Sequence, residues 1–413
     1  MDPVEKAVLC CLSEKGHHTD DDQLPQLSTS DWDRLLELAA CNGITPLVYK
    51  ALKDLSPATG VPSDVLLKLR EIYYESAGLN VLLYRQLTEI LVTLLEAGIP
   101  VIVLKGACLA EMVYRNIALR PMMDIDLLVR RKDLIIANEK IMGLGYTPSV
   151  INTLWEKQHF HFVFWPPNSG VTVELHWDIF RQKHSVKNMD IGEIWERSRQ
   201  AVIGGVPASV LSPEDLLLYV CLHNYYHYRV STGIKGLCDI LEIIRFYGNE
   251  LDWEELQRRI RRWGVTGPVY FMLYLAVDLL GAAVRDDFLD TLRPHDFDPQ
   301  MLLSTKEKVF SYPDDLIPEH FKLLYLLGPN PFREKAHVLL EAFINLKDCY
   351  LSKEYLAYIY SVPKESSRIY MYYPVFLKDL LFQCGSLTWK YLCGDKQMTD
   401  LVKRGNAICK RTV

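Results

Sequence analysis

Two aspartates have the spacing of a metal-binding pair. Asp124 and Asp126 open the stretch DIDLLV, whose apolar content predicts a buried strand. Because side chains alternate across a strand, residues two positions apart point to the same side. Two carboxylates on one face repel each other and raise each other's proton affinity, and a divalent metal ion between them removes this cost. The spacing therefore predicts a metal site.

A third carboxylate, Glu174, lies in the second of two alternating runs. The runs are HFHFVFW at 159–165 and VTVELHW at 171–177, and the turn-rich segment between them has the length of a hairpin loop. In the second run, Thr172, Glu174 and His176 face one way and the apolar residues face the other. Because a strand with so apolar a buried face needs no acid opposite it for folding, we expect Glu174 to meet the two aspartates from a neighbouring strand.

Lys105 and Gly106 lie between a predicted strand, residues 99–104, and a predicted short helix. Glycine at such a turn lets backbone amides approach phosphate oxygens, and Lys105 or Arg120 can neutralise phosphate charge. Each cation also has a second interpretation. Lys105 fits a surface lysine at the end of a strand, and Arg120, just upstream of Asp124, fits an ion pair with one of the aspartates.

The three carboxylates together are what a two-metal site requires. In such a site two ions about 3.5 to 4 Å apart hold the attacking and leaving oxygens during in-line displacement at phosphorus. An Asp-x-Asp pair alone is common on exposed strands. Here it accompanies Gly106 before a helix and Glu174 on a second strand, and this combination indicates phosphate-transfer chemistry.

The histidines need separate interpretations. His159 and His161, paired on an edge-like strand, are interpreted as structural. His223 and His227 are spaced to share one zinc ion on a predicted helix, but Asn224 replaces the glutamate that a metalloprotease has there. The alternative is that both histidines are packed polar residues. His176 shares a face with Glu174, where it can orient that carboxylate or approach a phosphate.

The elements around these residues divide the chain into three predicted segments. Residues 1–97 are predicted to be a helical N-terminal segment, with one helix starting near Pro62 and another running from about residue 80 to Gly98. Residues 98–180 are predicted to form a small α/β core. Residues 181–413 are predicted to form a helical region, in which the pattern stays helical from about residue 190. One of its helices is predicted to start at Pro213, with Ser212 as the cap.

Composition limits the class of protein. The 413 residues are 49% hydrophobic and 24% charged, as in an ordinary folded protein. The net charge of -6 provides no global field toward nucleic acid or anionic membranes. The N-terminal sequence lacks the pattern of a signal peptide, and the longest apolar window is too short to span a bilayer. The ten cysteines include no CxxC pair. We therefore predict a cytoplasmic protein without a membrane span or disulfide framework.

Several of these motifs together resemble a known family, the uncharacterised nucleotidyltransferases of bacteria, within the DNA polymerase beta nucleotidyltransferase superfamily. The resemblance extends over residues 30 to 280, approximately, and rests on these motifs: Lys105-Gly106-Ala107, Arg120, DIDLLV at 124–129, Gly145-Tyr146, VELHW at 173–177, and a helix with His223, His227 and Asp239-Ile240.

The resemblance implies an activity and roles for individual residues. Such enzymes transfer a nucleoside monophosphate from a nucleoside triphosphate, here expected to be ATP, to an acceptor, with Mg²⁺ or Mn²⁺ and release of pyrophosphate. Asp124, Asp126 and Glu174 would be the metal carboxylates, and Glu174 would take the proton of the acceptor hydroxyl. Lys235, on a later helix, would contact the triphosphate across the cleft.

One motif departs from the superfamily. Its usual turn is Gly-Gly or Gly-Ser, whereas Ala107 follows Gly106 here and the stretch to Asp124 is longer. The departure weakens the phosphate-cradle assignment more than the metal assignment. Lys105 can substitute as a point charge on phosphate.

The predicted fold is α+β, with a small nucleotidyltransferase-type mixed sheet between a helical N-terminal segment and a large helical C-terminal region. The predicted function is metal-dependent nucleotidyl transfer to a small molecule or a protein. The net charge does not favour long nucleic acid as the acceptor. The alternative is a catalytically inactive nucleotide-binding or protein-interaction module with the same fold, which the loss of any of the three acids would have favoured.

Overall fold

The structure is a computed structural model of the chain. The chain divides into two units, Met1–Tyr312 and Pro313–Val413, and all described residues belong to the first unit. The described residues are 2–14, 24–55, 60–148, 160–167, 170–180, 186, 188–228, 233–294, 302, 306, 309 and 310.

Helices precede and follow the sheet in sequence. The described helices are α1 (Pro3–Leu12), α2 (Thr29–Cys41), α3 (Thr45–Leu55), α4 (Ser63–Glu96), α5 (Lys105–Cys108), α6 (Leu134–Gly143), α7 (Ile191–Arg197), α8 (Pro213–Tyr228), α9 (Ile234–Tyr247), α10 (Trp253–Trp263), α11 (Thr266–Leu280) and α12 (Asp286–Leu292). One turn of π-helix, Leu109–Val113, continues α5.

The strands form one mixed sheet of seven strands in the order β3-β4-β5-β2-β1-β7-β6. The β2–β5 and β1–β7 pairs are parallel, and the other pairs are antiparallel. This sheet, set between helices, confirms the predicted α+β class. The strands are β1 (Val101–Val103), β2 (Asp124–Val129), β3 (Thr147–Pro148), β4 (His161–Trp165), β5 (Thr172–His176), β6 (Arg199–Ile203) and β7 (Val206–Val210).

The two faces of the sheet contribute to different hydrophobic cores. Ile125, Leu127 and Val129 of β2 belong to the core that includes the C-terminal half of α4 and helix α6. Leu128, on the opposite face, belongs to the core that includes helices α8, α9 and α11. Because side chains alternate, Asp124 and Asp126 share the face of Leu128. The candidate site therefore lies on the face that the C-terminal helices cover.

Helix α4 is a single helix of 34 residues, about 50 Å long. The prediction of two helices in this region is wrong. Buried Ser76 and Asn80 interrupt the apolar stripe, but their side chains donate hydrogen bonds to backbone carbonyls instead of ending the helix. Five such bonds fix neighbouring loops: Ser76 to Ala118 (2.9 Å), Asn80 to Arg120 (2.9 Å), Tyr84 to Ala107 (2.6 Å), Gln86 to Val171 (2.7 Å) and Thr88 to Gly204 (2.9 Å).

The prediction of continuous helix from about residue 190 is also wrong. Strands β6 and β7 form a hairpin, and β7 pairs in parallel with β1, so the sheet extends beyond residue 180. Gly204 and Gly205 form the turn, with φ angles of 57° and 77°. Glycine adopts positive φ without steric cost, and a Gly-Gly pair between short apolar runs is itself a hairpin signal that the sequence analysis missed. The three-segment division remains a prediction.

Two predicted helix boundaries are confirmed. Helix α8 starts at Pro213, and the Asp215 amide donates a hydrogen bond to the Ser212 hydroxyl (3.2 Å). Gly98 follows the end of α4 with a φ of 70°. No helix in the described part of the chain is long and apolar enough to cross a bilayer.

Candidate active site

The three predicted carboxylates lie on two adjacent strands. In the parallel β2–β5 pair, Asp126 is opposite Glu174 and Asp124 is opposite Thr172. Paired residues share a face, so all three carboxylates point to the same side of the sheet. Asp126 is only 3% exposed, whereas Asp124 and Glu174 are partly exposed. The structure therefore brings the three acids together, and their role as metal ligands remains a prediction.

The acids differ in proton affinity because their neighbours differ. Burial, together with the negative charge of Asp126, raises the pKa of Asp124 to about 6. Burial acts in the same direction on Asp126, but the Lys105 ammonium and a hydrogen bond from His176 outweigh it and hold the pKa of Asp126 well below its usual range. A hydrogen bond from His176 likewise outweighs burial and lowers the pKa of Glu174.

Lys105 brings a positive charge into direct contact with this group. Its Nζ lies 3.1 Å from Asp126 Oδ1, and its side chain is largely buried. The ammonium also lies 5.8 Å from the centre of the Tyr219 ring, an aromatic contact that the sequence analysis did not identify. The interpretation of Lys105 as a surface lysine is therefore wrong. A phosphate contact by Lys105 remains a prediction.

Gly106 allows a close approach of Arg120 to the backbone. A Cβ atom at Gly106 would lie 3.0 Å from Arg120 Nη1 and 3.1 Å from Met122 Sδ. Any larger residue would displace the guanidinium or the thioether. This observation gives the glycine a packing role, and its predicted contact with phosphate is not tested.

Arg120 pairs with Asp239 on α9. Its Nε donates to Asp239 Oδ1 and its Nη2 donates to Oδ2, both at 2.8 Å. Tyr114 adds a third hydrogen bond, from its hydroxyl to Asp239 Oδ1 (2.9 Å). The expected ion pair between Arg120 and Asp124 or Asp126 is therefore wrong. The bidentate contact instead fixes the segment before β2 to the helical region.

Lys235 of α9 also contacts the segment before β2. Its Nζ donates a hydrogen bond to the carbonyl of Pro121 (2.7 Å). Burial and the nearby Arg120 charge lower the pKa of Lys235 to about 8, although the carboxylates of Asp239 and Asp124 act in the opposite direction. The Asp124 carboxylate is close enough to Lys235 to affect its pKa, so Lys235 lies near the site. Its predicted contact with a triphosphate is not tested.

His176 connects two of the acids. Its Nε2 lies 3.0 Å from Asp126 Oδ1 and 3.3 Å from Glu174 Oε2, and the side chain is 1% exposed. These hydrogen bonds outweigh the effect of burial and raise the pKa of His176. The imidazole therefore holds both carboxylates in fixed orientations, one of the two roles considered for it.

His161, which is predicted from the sequence to be structural, lies beside two residues of the site. It is opposite His176 in the β4–β5 pair, and its Nε2 lies 4.0 Å from Glu174 Oε2. Burial and the neighbouring His176 lower the pKa of His161 to about 4. The signal was present in the sequence, because a hairpin between HFHFVFW and VTVELHW places two histidines on one face.

The predicted zinc pair of α8 is not tested. His223 lies near Asp126, whose pKa its charge helps to lower, and its ring is 6.1 Å from that of Tyr219. The side chain of His227 and the whole of His159 lie outside the described residues.

Comparison with known proteins agrees with the motifs of the site. The pattern of the family described as an uncharacterised nucleotidyltransferase matches residues 28–281, more than half of the chain. The solution structure of the antibiotic-resistance factor ANT(2'')-Ia is similar at 14% identity and a TM-score of 0.33, over 43% of this chain and 90% of that chain. No curated protein matches. By its match over residues 28–281, the chain belongs to the uncharacterised nucleotidyltransferase family.

Proposed function

We propose that the protein transfers a nucleoside monophosphate from a nucleoside triphosphate to an acceptor and releases pyrophosphate. The observation that carries this proposal is the group of three carboxylates on adjacent strands, where burial and the charge of Asp126 raise the pKa of Asp124 to about 6. Membership of the family supports nucleotidyl transfer in general. We also propose that the chain belongs to the DNA polymerase beta nucleotidyltransferase superfamily and that it comes from a bacterium.

The donor set fits a hard divalent cation. Asp124, Asp126 and Glu174 provide carboxylate oxygens, the ligands that Mg²⁺ and Mn²⁺ prefer. Their mutual repulsion is a cost that a bound cation removes. These three residues would hold Mg²⁺ or Mn²⁺, and the bound ion would supply charge neutralisation and polarisation at the reacting phosphate.

Three positively charged residues near the carboxylates have different roles in the proposed reaction. Lys105, beside Asp126, provides a point charge for the triphosphate. With a pKa of about 8, Lys235 is mostly charged at neutral pH and provides a second positive charge. Arg120 has two of its three nitrogens bonded to Asp239, so its main task is to fix the segment before β2.

Glu174 is the residue that we assign to proton removal. It is half-buried but reachable, and its Oε2 lies 3.3 Å from His176 Nε2, which fixes its orientation. A carboxylate held in this way can accept the proton of an acceptor hydroxyl as the new phosphate ester forms. The acceptor is a small molecule or a protein, and the triphosphate is ATP. We place the reaction in the cytoplasm.

The experiment is label transfer from α-labelled triphosphate. The purified protein is incubated with Mg²⁺, each of the four triphosphates and a cell extract, and pyrophosphate and labelled products are measured. We expect label on an acceptor with the wild type and with Glu139→Gln, which removes an exposed carboxylate of α6. Glu174→Gln should lose transfer.

Two results would contradict the proposal. Full activity of Glu174→Gln would exclude Glu174 as ligand and base. No label transfer by the wild type with any triphosphate, despite triphosphate binding, would indicate the non-catalytic nucleotide-binding module.

A further inference from the structure

A cluster of two nitrogen ligands and one oxygen ligand lies beside the carboxylate group. His161 of β4 and His176 and Glu174 of β5 each offer one ligand atom, and the three atoms lie within 4.8 Å of one another. The cluster results from strand register. His161 is opposite His176, and Glu174 lies two positions before His176 on the same face.

The distances within the cluster are close to those around a bound metal ion. Two ligands at about 2.1 Å from a tetrahedral ion are about 3.4 Å apart. Glu174 Oε2 lies 3.3 Å from His176 Nε2 and 4.0 Å from His161 Nε2. The three ligand atoms all lie within 4.8 Å of one another. A shift of at most about 1.4 Å in the separation of the two imidazoles would therefore complete the geometry.

We propose that His161, His176 and Glu174 form a binding site for a divalent transition-metal ion, with Zn²⁺ as the expected occupant. Imidazole nitrogen suits zinc and its neighbours in the periodic table, whereas Mg²⁺ prefers oxygen ligands. Three protein ligands leave a fourth position for water or substrate, as in open zinc sites. This site differs from the proposed magnesium site in its ligands, although both include Glu174.

The surroundings favour a cation at this position. His176 is 1% exposed and is therefore shielded from water, whereas the side chains of His161 and Glu174 are 20% and 24% exposed. Asp126 Oδ1 lies 3.0 Å from His176 Nε2 and places a second negative charge next to the cluster. Low solvent exposure strengthens the attraction between these charges and a metal ion.

The inference goes beyond the proposed transfer reaction and does not depend on it. Strand register brings the three ligand atoms together whatever reaction the protein catalyses. For the same reason, metal binding can be measured without any substrate, so that failure of one proposal leaves the other intact.

The test compares metal binding by the full chain and two variants of β4. Protein stripped with a chelator is titrated with Zn²⁺ alone, and bound metal is measured by mass spectrometry after gel filtration. Co²⁺, whose visible absorption reports its coordination, is the second probe. His161→Ala removes one ligand. Val163→Ala is the matched control, because Val163 is on the same strand, opposite Glu174, and carries no ligand atom.

We expect the wild type and Val163→Ala to bind one more zinc ion than His161→Ala. The affinity for this ion should fall at least 100-fold, approximately, because changes to residues that merely support a ligand already cost 10- to 100-fold. The Co²⁺ spectrum of four-coordinate nitrogen and oxygen ligation should also disappear in His161→Ala.

Equal zinc content, affinity and Co²⁺ spectrum in the wild type and His161→Ala would overturn the proposal. Circular dichroism verifies folding, and His161→Asn provides the same comparison if the alanine variant does not fold. Asp124→Asn separates the two proposals, since it should lose transfer and retain zinc. If the wild type binds zinc but has no transfer activity, the zinc site is supported and the proposed transfer reaction is contradicted.

Discussion

Two groups of buried charges in this protein are arranged in opposite ways. At the start of α8, the carboxylate of Asp215 accepts hydrogen bonds from Arg197 Nε and Arg259 Nη1, both at 2.9 Å. Its side chain is fully buried, and two guanidinium groups neutralise it. At the candidate site, three carboxylates face one side of the sheet, and the Lys105 ammonium contacts one of them, Asp126.

The difference in charge balance indicates that the Asp215 group has a structural role and that the carboxylate group has a functional one. Buried charges stabilise a fold only when they are paired and hydrogen-bonded, as Asp215 is. The carboxylate group has more negative than positive charge in direct contact, and burial and the charge of Asp126 raise the pKa of Asp124 to about 6. An unbalanced group of this kind is a candidate functional site, and we propose that it binds a cation.

The largest expected effect is on activity at the unbalanced group. Asp126→Asn should reduce nucleotidyl transfer at least ~1000-fold, equivalent to about 4 kcal/mol of transition-state stabilisation, because an amide offers no negative charge to the metal. Pyrophosphate release measures the loss, and circular dichroism verifies that the variant is folded. Activity within about tenfold of the wild type would show that Asp126 holds no catalytic metal.

The next largest effect is on stability at the balanced group. Asp215→Asn removes the fully buried carboxylate that Arg197 and Arg259 share, although Arg197 keeps Glu193 and Arg259 keeps Glu255. We therefore expect a loss of about 3 kcal/mol of unfolding free energy, the lower end of the range for breaking a buried charge pair. Urea unfolding measures this change. A loss of unfolding free energy below about 1 kcal/mol is typical of exposed ion pairs. Such a result would mean that Asp215 does not stabilise the fold as a buried charge pair.

A smaller effect of opposite sign is expected at Asp124. Its folded-state pKa, about 6, is above that of an unfolded chain, so the stability that it contributes is present below pH 4, approximately, and is lost as the pH rises through about 6. Without metal at pH 7, Asp124→Asn should therefore be more stable than the wild type by up to about 3 kcal/mol. Thermal unfolding in chelator measures the difference.

That difference should disappear near pH 4 and should shrink when Mg²⁺ is added to the wild type. A variant that is less stable than the wild type at pH 7 would show that the acids are already neutralised.

The smallest effect concerns Lys235. Its folded-state pKa of about 8 is below that of an unfolded lysine, so the charged form destabilises the fold and this cost decreases as the pH rises from 8 to 10. Relative to Lys235→Met, the wild type should gain about 1 to 2 kcal/mol of stability over this range. Thermal unfolding at pH 7 and pH 10 measures the change. A pH-independent difference would mean that solvent reaches the ammonium freely.

The acid group was predictable because its pattern is local. Alternation within DIDLLV and VTVELHW fixed the faces of Asp124, Asp126 and Glu174, and the turn between the two histidine-containing runs indicated a hairpin. The α+β class followed from the same patterns, since period-two runs lay between helical ones.

Contacts between distant parts of the chain were not predictable in this way. Arg120 lies 119 residues from Asp239, and Arg259 lies 44 residues from Asp215. No spacing rule connects residues so far apart. The placement of β7 beside β1 is another case, because register between distant strands depends on packing of the whole sheet.

Helix α4 has a consequence for which segments of this chain can tolerate substitution. Five of its side chains donate hydrogen bonds to main-chain carbonyls of the loops before β2, before β5 and between β6 and β7 and of the short helix after β1. Every residue type carries a carbonyl, so substitutions in those segments do not remove the acceptors. Mutation can therefore change the side chains of these segments while their main chain stays attached to α4. A scaffold of this kind lets sequence vary around the sheet without moving the strands that carry the carboxylates.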